Sequence, residues 1–162
     1  MILLRQTIAL SFNLADKFIL HARRLCLRHW FILRETSRCR RLQIGAGNCF
    51  DMPVRNTGSG LLSIGSNNTF GYRMGPRLGN REILIQSRTA VSELMIGSRN
   101  VLSNNVSIIA TQSITIGNDC LIGDRVIIYD SDFRSIQPTL RHSHSGPSKP
   151  IRIGNNVWLV AA

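Results

Sequence analysis

IGSRNV LSNNVS IIATQS IT IGNDCL IGDRVI IY, residues 96–129, decides the fold. An aliphatic residue returns six positions at a time, at Ile96, Leu102, Ile108, Ile116, Ile122 and Ile128, with one eight-residue step that takes in Ile114 and Thr115. A period of six suits neither an amphipathic helix, which repeats at about 3.6 residues, nor a half-buried strand, which repeats at about two. It suits a parallel β-helix. There each hexad is a short strand plus a corner, three hexads make one coil, and the anchors stack into a continuous aliphatic column. The phrase recurs as IGAGNC from Ile44, IGSNNT from Ile64 and IGNNVW from Ile153, so the repeat runs through residues 42–162. Small or β-branched residues four positions after an anchor (Val106, Cys120, Val126, Val157) suit a narrow corner. Asn and Asp in mid-hexad tolerate the left-handed backbone a tight corner needs. An antiparallel sandwich with Gly-rich turns fits less well, because its turns fall about 8 to 12 residues apart without a fixed phase.

The length of 162 residues fits one domain, and 43% hydrophobic residues with few aromatics fit a narrow column. Four cysteines, Cys26, Cys39, Cys49 and Cys120, form no CxxC and no metal-ligand spacing. They read as reduced, buried thiols of a cytoplasmic protein.

Charge separates two regions. Residues 1–41 hold nine Arg or Lys against two acids, whereas residues 42–162 hold eleven against seven. The leader, 1–41, reads as one or two amphipathic helices, with Leu4, Ile8, Phe12, Ala15 and Ile19 on one face and Asn13, Lys17, Arg24 and Arg28 on the other. Asp16 and Lys17 interrupt its apolar stretch well short of the ~20 residues a membrane span needs. It also lacks the basic start, long apolar run and small-residue cleavage site of a signal peptide. The leader is expected to cap the first coil, and the alternative is peripheral contact with an anionic membrane surface. Nucleic-acid binding is not expected, since the repeats hold no recognition motif and a high pI is weak evidence by itself.

Two stretches lose the hexad. Around residues 70–95 the run Ile83, Leu84, Ile85 stays apolar, while Gly71, Gly75, Pro76 and Gly79 suggest a loop leaving one corner. From about 130 to 150 a polar stretch rich in Pro and Ser forms a second excursion before the hexad resumes at Ile151. Asp130 and Asp132 within it are a carboxylate pair better suited to bracing the loop than to acid–base work.

The succession NNVSIIA (Asn104–Ala110), SITIGNDCLIG (Ser113–Gly123), YDSDF (Tyr129–Phe133), a Pro-containing loop and KPIRIGNNVW (Lys149–Trp158) resembles the hexapeptide-repeat acyltransferases. Within them it is most similar to the sugar O-acetyltransferases related to the galactoside, maltose and Nod-factor enzymes. The close resemblance covers residues 96–158 and weakens back to Ile44. It implies an all-β, single-stranded left-handed parallel β-helix behind the helical leader, and a homotrimer with active sites between neighbouring prisms. It further implies acetyl-CoA as acyl donor, with Trp158 and Ala161 at cofactor-binding positions. The implied acceptor is a sugar hydroxyl of a surface polysaccharide or its precursor. A His on the excursion loop acts as general base in that family. An assisting Asn is matched by Asn105, with the adjacent Asn104 as the alternative.

The departures bear on activity. Arg134 stands where the family has its catalytic His, and a guanidinium, always protonated in a protein, cannot act as a base near neutrality. His142 and His144 are the nearby substitutes. The sequence stops at Leu159-Val160-Ala161-Ala162, where the family continues with further coils, so a truncated product is expected. The competing reading is a catalytically inactive remnant or scaffold. No metal is expected, because the four histidines, His21, His29, His142 and His144, lie two in the leader and two in one loop.

Overall fold

The computed structural model describes residues 2–38, 41–75, 79–143 and 145–161, with helix side chains from Leu14 onward. One helix, α1 (Ile2–Ser37), precedes a succession of short strands. The first coil is β1 (Leu42–Ile44), β2 (Cys49–Phe50) and β3 (Val54–Arg55), and the second is β4 (Leu61–Ile64), β5 (Thr69–Phe70) and β6 (Ile83–Ser87). The third is β7 (Glu93–Ile96), β8 (Val101–Leu102) and β9 (Ser107–Ala110), and the fourth is β10 (Ser113–Ile116), β11 (Leu121–Ile122) and β12 (Ile127–Tyr129). β13 (Ile151–Ile153) and β14 (Trp158–Leu159) follow. Every third strand pairs in parallel, giving sheets β1-β4-β7-β10-β13, β2-β5-β8-β11-β14 and β3-β6-β9-β12. The fold is therefore all-parallel and parallel β-helix-like, with one helix at its N-terminal end.

The pairing register explains the eight-residue step. Leu94 lies beside Ile114 and Ile96 beside Ile116, twenty residues apart, not the eighteen of three hexads. The two extra residues, Thr111 and Gln112 in that coil, turn the corner between the third sheet and the first. Apolar anchors from all three sheets then meet in one column. Leu62, Leu94 and Ile114 come from the first sheet, Phe50, Phe70 and Leu102 from the second, and Ile83, Ile85 and Ile108 from the third, each fully buried. Burial of each such side chain contributes about 1.5–3 kcal/mol.

The Gly after the anchor answers to the stacking of coils. A Cβ on Gly65 would fall 2.6 Å from the Gly97 carbonyl oxygen, and one on Gly117 2.6 Å from that of Gly154. Three positions after the anchor the backbone turns left-handed in every coil, at Gly47 (φ 71°), Asn67 (60°), Arg99 (58°), Asp119 (59°) and Asn156 (55°). The fourth position is a ladder of amides in the first three coils, Asn48, Asn68 and Asn100, before Cys120 and Val157 take over. The expectation of small or β-branched residues there holds for the later coils. Asn serves the earlier ones because its amide satisfies backbone groups above and below.

The leader is a single helix, within the expected one or two, and the face it turns toward the coils mixes polar and apolar residues. Arg24 grips Asp51 through Nε–Oδ1 at 2.6 Å and Nη2–Oδ2 at 3.0 Å. The buried Glu35 accepts from Asn56 Nδ2 at 2.7 Å. Phe31 completes the docking on Phe50, ring centroids 5.4 Å apart. Ala15 and Ile19, assigned to the apolar face, are exposed; the side chains of Leu4, Ile8, Phe12 and Asn13 lie outside the described residues. The reading of four buried thiols is also corrected. Cys26 is exposed and Cys49 half-buried, Cys120 alone is buried among the described cysteines, and Cys39 lies outside them.

The two interruptions of the hexad are excursions at corners. The described residues 71–75 and 79–82 lie between β5 and β6, and 130–143 and 145–150 between β12 and β13; Pro76 and His144 lie outside the described residues. No helix among the described residues is long and apolar enough to cross a membrane.

Candidate functional site

The excursion after β12 is held at both ends, and its roots form a cleft. The buried Asp130 accepts the backbone N–H groups of Thr111 and Gln112, each at 2.7 Å, which ties the loop to the corner of the preceding coil. Its own carbonyl accepts the Lys149 N–H at 2.9 Å, and Ser131 bridges Ser148 in antiparallel fashion. Asp130 thus braces the loop, and Asp132 beside it is exposed. Phe133, in left-handed backbone at φ 55°, packs edge-on to Tyr129 with centroids 5.0 Å apart. The Arg88 guanidinium covers the other part of that ring at 4.3 Å from its centroid. Between the two strands of the loop root lies a cleft of about 590 Å³ lined by Tyr129, Asp130, Ser131, Asp132, Pro147, Lys149, Pro150 and Ile151. The Lys149 cation, the exposed Asp132 carboxylate and the Tyr129 and Ser131 hydroxyls around an open cleft can hydrogen-bond a polyhydroxylated ligand.

A second cleft, of about 270 Å³, lies where the second sheet hands over to the third, lined by Arg55, Asn80, Glu82, Leu84, Asn105 and Ser107. Arg55 Nε meets Glu82 Oε1 at 2.9 Å, and Asn80 Nδ2 donates to Glu82 Oε2 at 3.0 Å. Asn105 turns the corner with φ 58° and donates from Nδ2 to Asp124 Oδ1 at 3.3 Å. The adjacent Asn104 is fully buried and spans the Tyr72 backbone, accepting its N–H and donating to its carbonyl, both at 2.9 Å. Of the two candidate amides, Asn105 faces the cleft and Asn104 is structural.

The other sequence-chosen residues do not gather around Asn105. Arg134 is exposed on the excursion loop, at the corner between the third sheet and the first, whereas Asn105 sits at the corner between the second and the third. His142 is exposed in the same loop, past the turn at Pro138–Leu140, and His144 lies outside the described residues. Trp158, 72% exposed, pairs with Leu121 on the second sheet, and Ala161 is exposed beyond it. Among the described residues, then, Asn105, Arg134, His142 and Trp158 do not come together within one chain.

Sequence reasoning missed Arg55, Asn80 and Glu82 beside Asn105, and Arg88 over Phe133. Nothing in their local spacing marks them, because the pairing of β3 with β6 and of β6 with β9 brings them together. Among the described residues no group of three or more His, Cys, Asp or Glu is placed to hold a metal ion. Compared with protein-family models, with curated proteins and with solved structures, the chain matches none.

Proposed function

We propose that this chain is a hexapeptide-repeat protein of left-handed winding, related to the sugar O-acetyltransferases. In this reading it is a cytoplasmic homotrimer that takes acetyl-CoA as donor and a sugar hydroxyl of a surface polysaccharide or its precursor as acceptor. The observation that carries the reading is the corner between the first and second sheets. Anchor, Gly, and a left-handed residue three positions on recur there from Ile44 to Asn156, in the hexad phrases on which the resemblance rests.

The reaction would be direct transfer. The acceptor oxygen attacks the thioester carbonyl, the carbon–sulfur bond breaks, CoA leaves as the thiol, and a base takes the hydroxyl proton. Asn105 would orient a reacting oxygen from one protomer, and the excursion loop with its cleft would meet it from the neighbour. A specific observation favours a second reading. Arg134 supplies no base, so a non-catalytic scaffold that keeps the coils without the transfer competes with the enzyme.

Calorimetric titration with acetyl-CoA, beside the mass of the particle in solution, tests the first reading. Saturable binding by a folded trimer supports it. A folded chain that binds no acetyl-CoA overturns it and leaves the scaffold.

A further inference from the structure

α1 docks on the coils through a mixed face, where Arg24, Phe31 and Glu35 meet the coils and Leu27 and Ile32 pack against the core, and turns an apolar stripe outward. At about 100° per residue, Leu14, Phe18, Ile19, Leu25, Trp30 and Leu33 share the side opposite Phe31, Arg24 and Glu35. They are exposed to 67, 74, 63, 40, 65 and 62% respectively. The charged residues of the same span, Asp16, Lys17, Arg23, Arg24 and Arg28, fall off that face, Arg23 at its border. His29 is the ionisable ring within it, and its Nδ1 lies 2.7 Å from the Leu25 carbonyl oxygen. The stripe is about 30 Å long at the helical rise of 1.5 Å. An apolar face of this extent marks an interaction site rather than scattered surface residues.

Charge selects what covers it. Lys17, Arg23, Arg38 and Arg41 are exposed on and just after the helix, whereas Asp16 is its only exposed acid among the described residues, Glu35 being buried. A second copy would bring the same excess of cations together. An anionic lipid surface answers it, with Arg23 at the border of the stripe at the phosphate level, the Trp30 indole at the interface and the aliphatic side chains at the acyl boundary.

We propose that α1 is an interfacial helix that lies flat in the surface of an anionic bilayer, holding the coils on the aqueous side through Phe31, Arg24–Asp51 and Glu35–Asn56. This goes beyond the acyl-transfer reading and stands or falls apart from it. The full chain is tested by co-sedimentation with vesicles of phosphatidylcholine and of phosphatidylcholine mixed with phosphatidylserine. Trp30 emission is followed in a Trp158→Phe background. The expected result is binding to the anionic vesicles, a blue shift of Trp30, and weakening by added salt. Phe18→Glu should weaken binding by about tenfold or more, and the milder Phe18→Ser by less, with the folded circular-dichroism signal kept. A folded chain that ignores anionic vesicles overturns the proposal. So does vesicle binding that Phe18→Glu leaves unchanged, or a native oligomer that the same substitution dissolves, which would assign the face to a second copy.

Discussion

Asn100 stands directly on Asn68: the Asn68 Oδ1 accepts the Asn100 backbone N–H at 2.8 Å, as the Asn48 Oδ1 accepts that of Asn68 at 2.9 Å. Both residues are fully buried, so water cannot replace either bond. Removing the amide in Asn68→Ala strands the Asn100 N–H and leaves a void, at a cost of about 2–3 kcal/mol. Urea denaturation should show that loss, while Asn67→Ala in the exposed left-handed position next to it should cost only about 1 kcal/mol, from backbone strain.

The Asp130 carboxylate carries two backbone N–H groups of the neighbouring coil. Asp130→Ala leaves both without their acceptor and should destabilise the fold by about 2–4 kcal/mol. Hydrogen exchange should locate the effect, with protection lost at Thr111, Gln112 and Lys149 before the strands of the first coils.

Phe31 is the most deeply buried of the apolar residues that seat α1 on the coils, 1% exposed against Phe50, which stacks in turn on Phe70 at 4.9 Å. Phe31→Ala should cost about 3–4 kcal/mol at this contact. The effect should appear as earlier protease cleavage in the helix, with the parallel strands retained in the far-ultraviolet spectrum. Leu33→Ala, on the exposed side, should leave the cleavage pattern unchanged.

Burial, and then the nearby Asp51 carboxylate, push the Cys49 thiol above its ordinary range, with Arg24 pulling the other way. The folded state therefore keeps a proton that the unfolded chain releases above about pH 8.5. Stability is present below that pH and declines as pH rises from there through the raised folded value. Urea midpoints on both sides of it should fall more steeply for the native chain than for Cys49→Ala. Site-resolved alkylation should modify Cys26 first, Cys49 more slowly, and Cys120 only on unfolding.

If the chain forms a trimer that binds acetyl-CoA, Arg134→His places a titratable base on the excursion loop. Thiol release from acetyl-CoA in the presence of a panel of sugars should then rise above the native level. An Asn105→Ala change in the same background should lower the gain by about tenfold or more if the amide orients the reacting oxygen. Unchanged thiol release in Arg134→His would count for the scaffold.

How much of this was legible in the residues varies by element. The period of six from Ile96 to Ile128 pointed to stacked coils because a repeating strand-and-corner unit must repeat its own anchors. The placement of the excursion loops followed from where the period lapsed. The twenty-residue coil was less legible. Only the alignment of Leu94 with Ile114 shows that Thr111 and Gln112 are a corner and not a slip. The Asn ladder was half visible: the amides could be counted, but left-handed turning at Asn67 and stacking at Asn68 are roles that adjacent, identical residues exchange only in three dimensions.

The sequence by itself determined the parallel repeat and the basic excess of residues 1–41, since each is a property of residue type and period. Tertiary structure alone decided which face of α1 meets the coils, which of Asn104 and Asn105 faces outward, and that Asn105 and Arg134 occupy different corners. Those outcomes depend on which groups find partners across many residues, as Arg24 finds Asp51 and Glu35 finds Asn56. A helical wheel predicts which face is apolar. It cannot predict that Arg24, Phe31 and Glu35 find their partners in the coils while the stripe from Leu14 to Leu33 stays outside.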